Sequence, residues 1–267
     1  MQSNNSIKIL FVGDIFGRPG REAVKNFLPK LKVELGPDLV FANGENLAGG
    51  KGITFEKYQE MCSAGVDYFT SGNHVWNNRD IIPYLKEGKV KILRPANYYN
   101  DAPGRGKVVI EYEGTKITLV NLQGQVFLSR LVHNPFVIAK EIVDESNDSI
   151  VIIDFHAEAT SEKVALAHFL DGKVVAVLGT HTHVQTADAR ILPQGSFFIS
   201  DIGMCGALDS VIGMKKELVI KEFLTGFPQS HKVATEGALF NAVFMEINIG
   251  SKKVIQFKSI NIQQRTN

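Results

Sequence analysis

His181 and His183 stand two residues apart in Gly179-Thr180-His181-Thr182-His183, directly after the apolar run Val174-Val175-Ala176-Val177-Leu178. The run is short, β-branched and preceded by Gly172, which reads as a buried strand. Residues two apart in extended backbone share a face. The two imidazoles would therefore leave the strand end as a pair aimed at one point, an arrangement that suits a transition metal. Two loop histidines with ordinary hydrogen bonds would be spelled the same way. The readings separate on whether other strand ends supply further ligands.

Four more apolar runs end in polar groups of ligand type. Residues 7–12 lead into Gly13-Asp14, and residues 39–42 into Asn43-Gly44-Glu45-Asn46. Residues 68–70 lead into Ser71-Gly72-Asn73-His74, and residues 150–155 end in Asp154-Phe155-His156-Ala157-Glu158. In α/β sheets the carboxyl ends of the strands line one crevice, where ligands bind. Each end alone is a weak signal; five together are a strong one. Gly13, Gly44, Gly72 and Gly179 precede most of them, as tight turns beside a ligand require. Asp14 would also serve as a helix cap, but five residues separate it from Gly20, where the next helix opens. Asp154 and Glu158 read either as groups orienting His156 or as turn residues. His133, His168 and His231 read as structural.

The candidate set is Asp14, Glu45, Asn46, Asn73, His156, His181 and His183, more nitrogen and oxygen donors than one ion needs. Carboxylate, amide and imidazole without thiolate suit iron, manganese or zinc. Two divalent ions sharing Glu45 as a bridge would account for the count. Against two carboxylates and a bridging hydroxide, such a pair keeps about one positive charge, which attracts an anion. Paired ions clamp the attacking and leaving oxygens of a phosphoester displacement, and the hydroxide they share attacks phosphorus. His74, beside Asn73, is then available as general acid. The stretch Gly44–Gly52 fails as a phosphate loop, because Gly52 stands where serine or threonine belongs. Gly17-Arg18-Pro19-Gly20-Arg21 would offer a helix N-terminus and two arginines to an anion.

The elements that must position these groups alternate. Helical patterns span 21–35, where Pro29 should kink or interrupt, 54–64 with Thr54 as cap, 79–86, 135–145, 162–170 and 215–224. Residues 108–112 and 116–121 flank Glu113-Gly114, a hairpin signal. Further strands are read at 197–200, 241–249 and 253–262. Units of βαβ, a central hairpin and a β-rich end predict two mixed sheets flanked by helices. No linker or repeat divides residues 1–267, so a single domain is expected.

Composition narrows the partners. A formal charge of +1 gives no bulk attraction to nucleic acid or membrane. Cys62 and Cys205, far apart in 267 residues, do not form a disulfide scaffold. No apolar stretch has membrane-spanning length, and the first residues lack a signal-peptide core, so a cytoplasmic protein is expected.

Gly13-Asp14, Gly44-Glu45-Asn46, Gly72-Asn73-His74, His156 and Gly179–His183, in this order, resemble the motif series of the calcineurin-like metallophosphoesterases. The spellings Gly13-Asp14-Ile15-Phe16-Gly17-Arg18-Pro19-Gly20-Arg21, Asn43-Gly44-Glu45-Asn46 and Ser71-Gly72-Asn73-His74-Val75-Trp76 resemble the YmdB-type bacterial phosphodiesterases over nearly the whole chain. Two departures from the wider superfamily stand out. Its Asp-x-His is Asp14-Ile15-Phe16 here, and its bridging aspartate is Glu45; Asn46 would fill the vacancy. The resemblance implies a four-layer α/β/β/α sandwich. It implies one metal on Asp14, Glu45, Asn46 and His183, a second on Glu45, Asn73, His156 and His181, and His74 as the acid. It further implies hydrolysis of 2′,3′-cyclic nucleotides to 3′-nucleotides, iron before manganese or zinc, a part in bacterial gene regulation, and homo-oligomers. Two other classes compete: a metal-dependent amide or lactam hydrolase, whose lactamase form needs aspartate where Gln185 stands, and a non-catalytic metal- or nucleotide-binding regulator.

Overall fold

The computed structural model describes residues 5–128, 131–146 and 148–265. One sheet has the order β13 (Lys253–Gln264), β12 (Ala238–Asn248), β1 (Ser6–Val12), β3 (Leu39–Asn43), β4 (Tyr68–Thr70). Its β1, β3 and β4 are parallel, while β12 and β13 run antiparallel. The other sheet has the order β5 (Lys107–Tyr112), β6 (Thr115–Gln123), β7 (Ile150–His156), β8 (Ala176–Thr180), β10 (Phe197–Ile199), β9 (Arg190–Ile191). Its four central strands are parallel. A two-stranded ladder joins β2 (Asp14–Ile15) to β11 (Met204–Cys205).

Both faces of the central strands are buried, as parallel strands between layers require. Along β1, Ile7, Ile9 and Phe11 point between the sheets, where Phe41, Leu119, Ile152, Leu178 and Phe197 meet them. Leu10 and Val12 point the other way, into a core shared with Val24 and Leu28 of α1 (Gly17–Leu35) and Met61 of α2 (Phe55–Ser63). The second sheet packs its outer face on Ala139 and Ile142 of α4 (Pro135–Asp144) and Leu166 and Leu170 of α5 (Thr160–Leu170). The architecture is the expected one, two mixed sheets flanked by helices in four layers. The short α3 (Ile82–Lys86) follows a tight turn at Arg79–Ile81, and α6 (Lys216–Thr225) leaves Phe223 and Leu224 exposed. Among the described residues no helix is long and apolar enough to cross a membrane.

Local expectations met the structure unevenly. Thr54 caps α2, accepting from the Lys57 amide at 3.3 Å. Glu113 and Gly114 both have positive φ (46° and 80°), as a tight hairpin turn demands. Pro29 does not interrupt α1. It sits on the exposed face, as does Lys25, so the carbonyl that loses its helical partner faces water. The helix also opens at Gly17 rather than Arg21, and β8 ends at Thr180 rather than Leu178, which brings the histidine motif to the strand's last residue.

Candidate metal centre

The carboxyl ends of β1, β3 and β4 on one sheet and of β7 and β8 on the other converge at one pole. Glu45 lies in the turn after β3 and is 1% exposed. Its Oε1 is 3.1 Å from His156 Nε2 and 3.0 Å from His74 Nδ1, and its Oε2 accepts from the His74 amide at 3.2 Å. His181 Nδ1 lies 3.0 Å from His156 Nε2. One ligand atom each from Glu45, His156 and His181 falls within 4.8 Å of the others. Asn46 reaches the neighbouring position, with Nδ2 3.2 Å from His183 Nε2 and Oδ1 3.1 Å from His74 Nδ1.

Asp14 is fully buried. Its Oδ2 accepts from the His181 amide at 3.2 Å, while Oδ1, 3.9 Å from His156 Nδ1, has no hydrogen-bond partner among the described residues. A buried carboxylate oxygen without a donor is costly, and a cation would satisfy it. Asn73 follows Gly72 in the turn after β4 and is partly exposed. A Cβ at Gly72 would lie 2.1 Å from Glu45 Oε2 and 2.2 Å from His156 Cδ2, so only glycine lets this backbone approach the cluster.

The two histidines after β8 correct one expectation. They do not share a strand face, because both have positive φ, 102° at His181 and 68° at His183. The backbone leaves the strand and the rings diverge: His181 turns to His156 and His183 to Asn46. Non-glycine residues held in such conformations cost of order 1–3 kcal/mol and cluster at functional sites. The turn is held by Asp201, which accepts from the Thr182 amide (2.9 Å) and hydroxyl (2.8 Å), from the Gly203 amide (2.8 Å) and from the buried ammonium of Lys163 (2.9 Å). Asp201 follows the strand read at 197–200, so the strand-end rule pointed at it too, but its role is to shape the turn.

Asp154 does orient His156, at one remove. Thr180 Oγ1 accepts from His156 Nδ1 at 2.9 Å and donates to Asp154 Oδ1 at 2.7 Å. Asn43 Nδ2 (2.9 Å) and the Thr70 hydroxyl complete the shell around Asp154 Oδ2. Glu158 turns away from His156 and meets His181 Nε2 at 3.0 Å. The arginines at the start of α1 are engaged elsewhere. Arg18 pairs with Glu22, while Arg21 pairs with Glu60 and donates to the Leu47 carbonyl at 2.6 Å, supporting the Glu45 turn.

The charges divide sharply. Burial works against ionising Glu45, but His156 and His74 outweigh it and hold the carboxyl well below its usual range. Burial likewise disfavours the His156 imidazolium, yet Glu45, Asp14 and Asp154 push it up to about 9. His181 is pushed down to about 3 by burial and by His156. Burial also raises Asp14, against the pull of His156. The metal-free pocket thus holds one proton on His156 and an ionised Glu45 beside it. Carboxylates, amides and three imidazoles with a starved Asp14 oxygen make a donor set that divalent metal ions fit.

A family model described as YmdB-like protein matches residues 10–260. The chain is 42% identical over 258 residues to a 2′,3′-cyclic-nucleotide 2′-phosphodiesterase of Bacillus subtilis (strain 168), covering 96% of this chain and 97% of that protein. A crystal structure of a phosphatase from Mycoplasma pneumoniae superposes with a TM-score of 0.93 at 40% identity, covering 97% of this chain and 94% of that one. The NAD nucleotidase of Haemophilus influenzae superposes with a TM-score of 0.63 at 12% identity over 97% of this chain and 56% of that one, a likeness of fold alone.

Proposed function

The chain belongs to the YmdB-like protein family, and on that premise we propose that it is a binuclear metal-dependent phosphodiesterase that hydrolyses 2′,3′-cyclic nucleotides to 3′-nucleotides. The observation that carries the reading is the convergence of Glu45, His156 and His181 ligand atoms within 4.8 Å. Asp14, Glu45, Asn46 and His183 would hold one ion, and Glu45, Asn73, His156 and His181 the other. Bound there, divalent ions activate water and neutralise the phosphate charge. His74 supplies the proton for the departing 2′ oxygen: its Nδ1 is held by Glu45 and Asn46, which leaves Nε2 as the nitrogen that meets the leaving group. Its side chain is 25% exposed, at an open edge of the cluster. The family resemblance, rather than the geometry, supports iron as the native metal, homo-oligomers and a part in bacterial gene regulation; the absence of a linker, a membrane-length apolar stretch or a signal core in the sequence supports a single cytoplasmic domain.

The test combines metal analysis of the purified protein with hydrolysis of bis-p-nitrophenyl phosphate and of 2′,3′-cyclic nucleotides. Wild type should carry divalent metal and turn over both. His74→Ala should keep its metal and lose about 10²- to 10³-fold in kcat, the range of a general acid. A protein with neither metal nor turnover would overturn the reading; full turnover without His74 would remove only its acid role.

Metal affinity should depend on pH through His156. A metal ion must displace the proton that His156 keeps up to about 9. Affinity for Mn²⁺ should therefore rise about tenfold per pH unit from neutrality to near that value and then level off. Chelator competition across that range measures it. A flat profile would mean that His156 is not a ligand, since His181 and His183, both held below their ordinary value, are neutral there and have no imidazolium proton to displace.

A further inference from the structure

The three candidate metal-binding histidines each turn one ring nitrogen away from the cluster, and each outward nitrogen has a different kind of partner. His156 Nδ1 meets the Thr180 hydroxyl, backed by buried Asp154. His183 Nδ1 donates to the Ile212 carbonyl at 2.9 Å. His181 is reversed: Nδ1 faces the cluster, and Nε2 meets Glu158 Oε2 at 3.0 Å. The side chains of His156, Thr180 and Asp154 are buried, and His183 is nearly so, whereas Glu158 is 47% and His181 20% exposed.

We propose that Glu158 is a positioning residue that fixes His181 as a metal ligand and sets how tightly the His156–His181 side of the centre holds its ion. The proposal rests on the binuclear reading above. Its physical basis is tautomer choice. A neutral imidazole carries one proton, and an ionised carboxylate only accepts. With Glu158 against Nε2, the proton belongs there, and the lone pair of Nδ1 is left facing Glu45 and His156. A carboxylate behind a ligating histidine also makes the imidazole a better donor, and losing such a partner typically costs 10- to 100-fold in metal affinity. His181 has little other guidance: its backbone amide is tied to Asp14, its φ is 102°, and among the described residues no buried hydroxyl or carbonyl stands behind its ring.

Mn²⁺ titrations of the metal-free protein, followed by chelator competition and by the Mn²⁺ paramagnetic resonance signal, test this. Wild type should show two sites. In Glu158→Ala one site should lose about 10- to 100-fold in affinity while the other is unchanged. Glu158→Asp should recover part of the loss. Glu158→Gln, which keeps an acceptor without the charge, should fall between. Unchanged affinities in Glu158→Ala would overturn the proposal. So would equal weakening of both sites alongside a lowered urea midpoint of the metal-free protein, the mark of a merely structural role at the start of α5. A wild type that binds no Mn²⁺ would overturn the binuclear reading itself, and this proposal with it.

Discussion

Glu45→Gln is expected to lose both metal ions and to lower hydrolysis by roughly 10⁴-fold while the chain stays folded. Among the described residues Glu45 is the only carboxylate within contact of both His74 and His156 (3.0 and 3.1 Å), and it would be the ligand common to the two proposed ions. Glutamine keeps its size and removes its charge. The turn should survive, because the Glu45 amide is held by Asn43 Oδ1 at 3.0 Å without help from its own side chain. A second readout is independent of activity. In the metal-free protein Glu45 is the foremost group lifting His156 against burial, so the variant's His156 should titrate well below the wild-type value of about 9 when followed by NMR. The sign for stability follows. A histidine whose folded pKa is raised stabilises the fold below its ordinary value of 6.5 and loses that contribution as pH rises through about 9. The metal-free variant should accordingly be less stable than wild type at pH 6 and should approach it above pH 9. Stoichiometric metal and activity within about tenfold of wild type would sink the bridging role, since loss of a bridge removes several kcal/mol of transition-state stabilisation.

Gly72→Ala should be nearly as damaging for a different reason. The φ of Gly72 is not positive, so alanine meets no backbone penalty there. The whole cost is steric, with the new methyl at 2.1 Å from Glu45 Oε2 and 2.2 Å from His156 Cδ2. Neither neighbour can give easily: Glu45 is fixed by His74, and His156 by Thr180. The expected result is metal loss and a fall in hydrolysis of roughly 10³-fold, with a stability loss of only about 1–3 kcal/mol as for other overpacked sites. Gly88→Ala is the control. Gly88 has φ 65° and open space around its Cα, so alanine there strains the backbone and should leave metal content and turnover unchanged. Metal analysis, hydrolysis and urea unfolding of the pair separate crowding of the centre from general strain. A Gly72→Ala protein with full metal would show that the cluster yields more than these distances allow.

The parts of this architecture that were legible in the chain were those with a period or a local rule. The apolar run at residues 7–12 predicts a strand, and β1 divides its side chains between two cores. Glycines after apolar runs predict where backbone must pass close to ligands, and Gly72 does so. What was illegible depends on partners far away in sequence. The backbone after β8 bends through positive φ because Asp201 and Lys163 hold it there, and no spacing rule within Gly179–His183 encodes that. Glu158 lies two residues from His156 but serves His181, because the end of β7 carries it past one ring to the next. Pro29 reads as a break until its exposed setting is known. The two-residue ladder of β2 with β11 is too short for any pattern to reveal.

β1 is paired on one side with β3, about thirty residues on, and on the other with β12, in register from Ser6 opposite Asn248 to Val12 opposite Ala242. During synthesis β1 therefore has one edge unsatisfied until residues 242–248 have left the ribosome. Asp14 likewise lacks its β11 neighbour until residues 204 and 205 are available. Such long-range pairing slows folding and prolongs the exposure of an open strand edge. The centre that the first fifty residues already announce thus depends on a pairing that only β12, far along the chain, can supply.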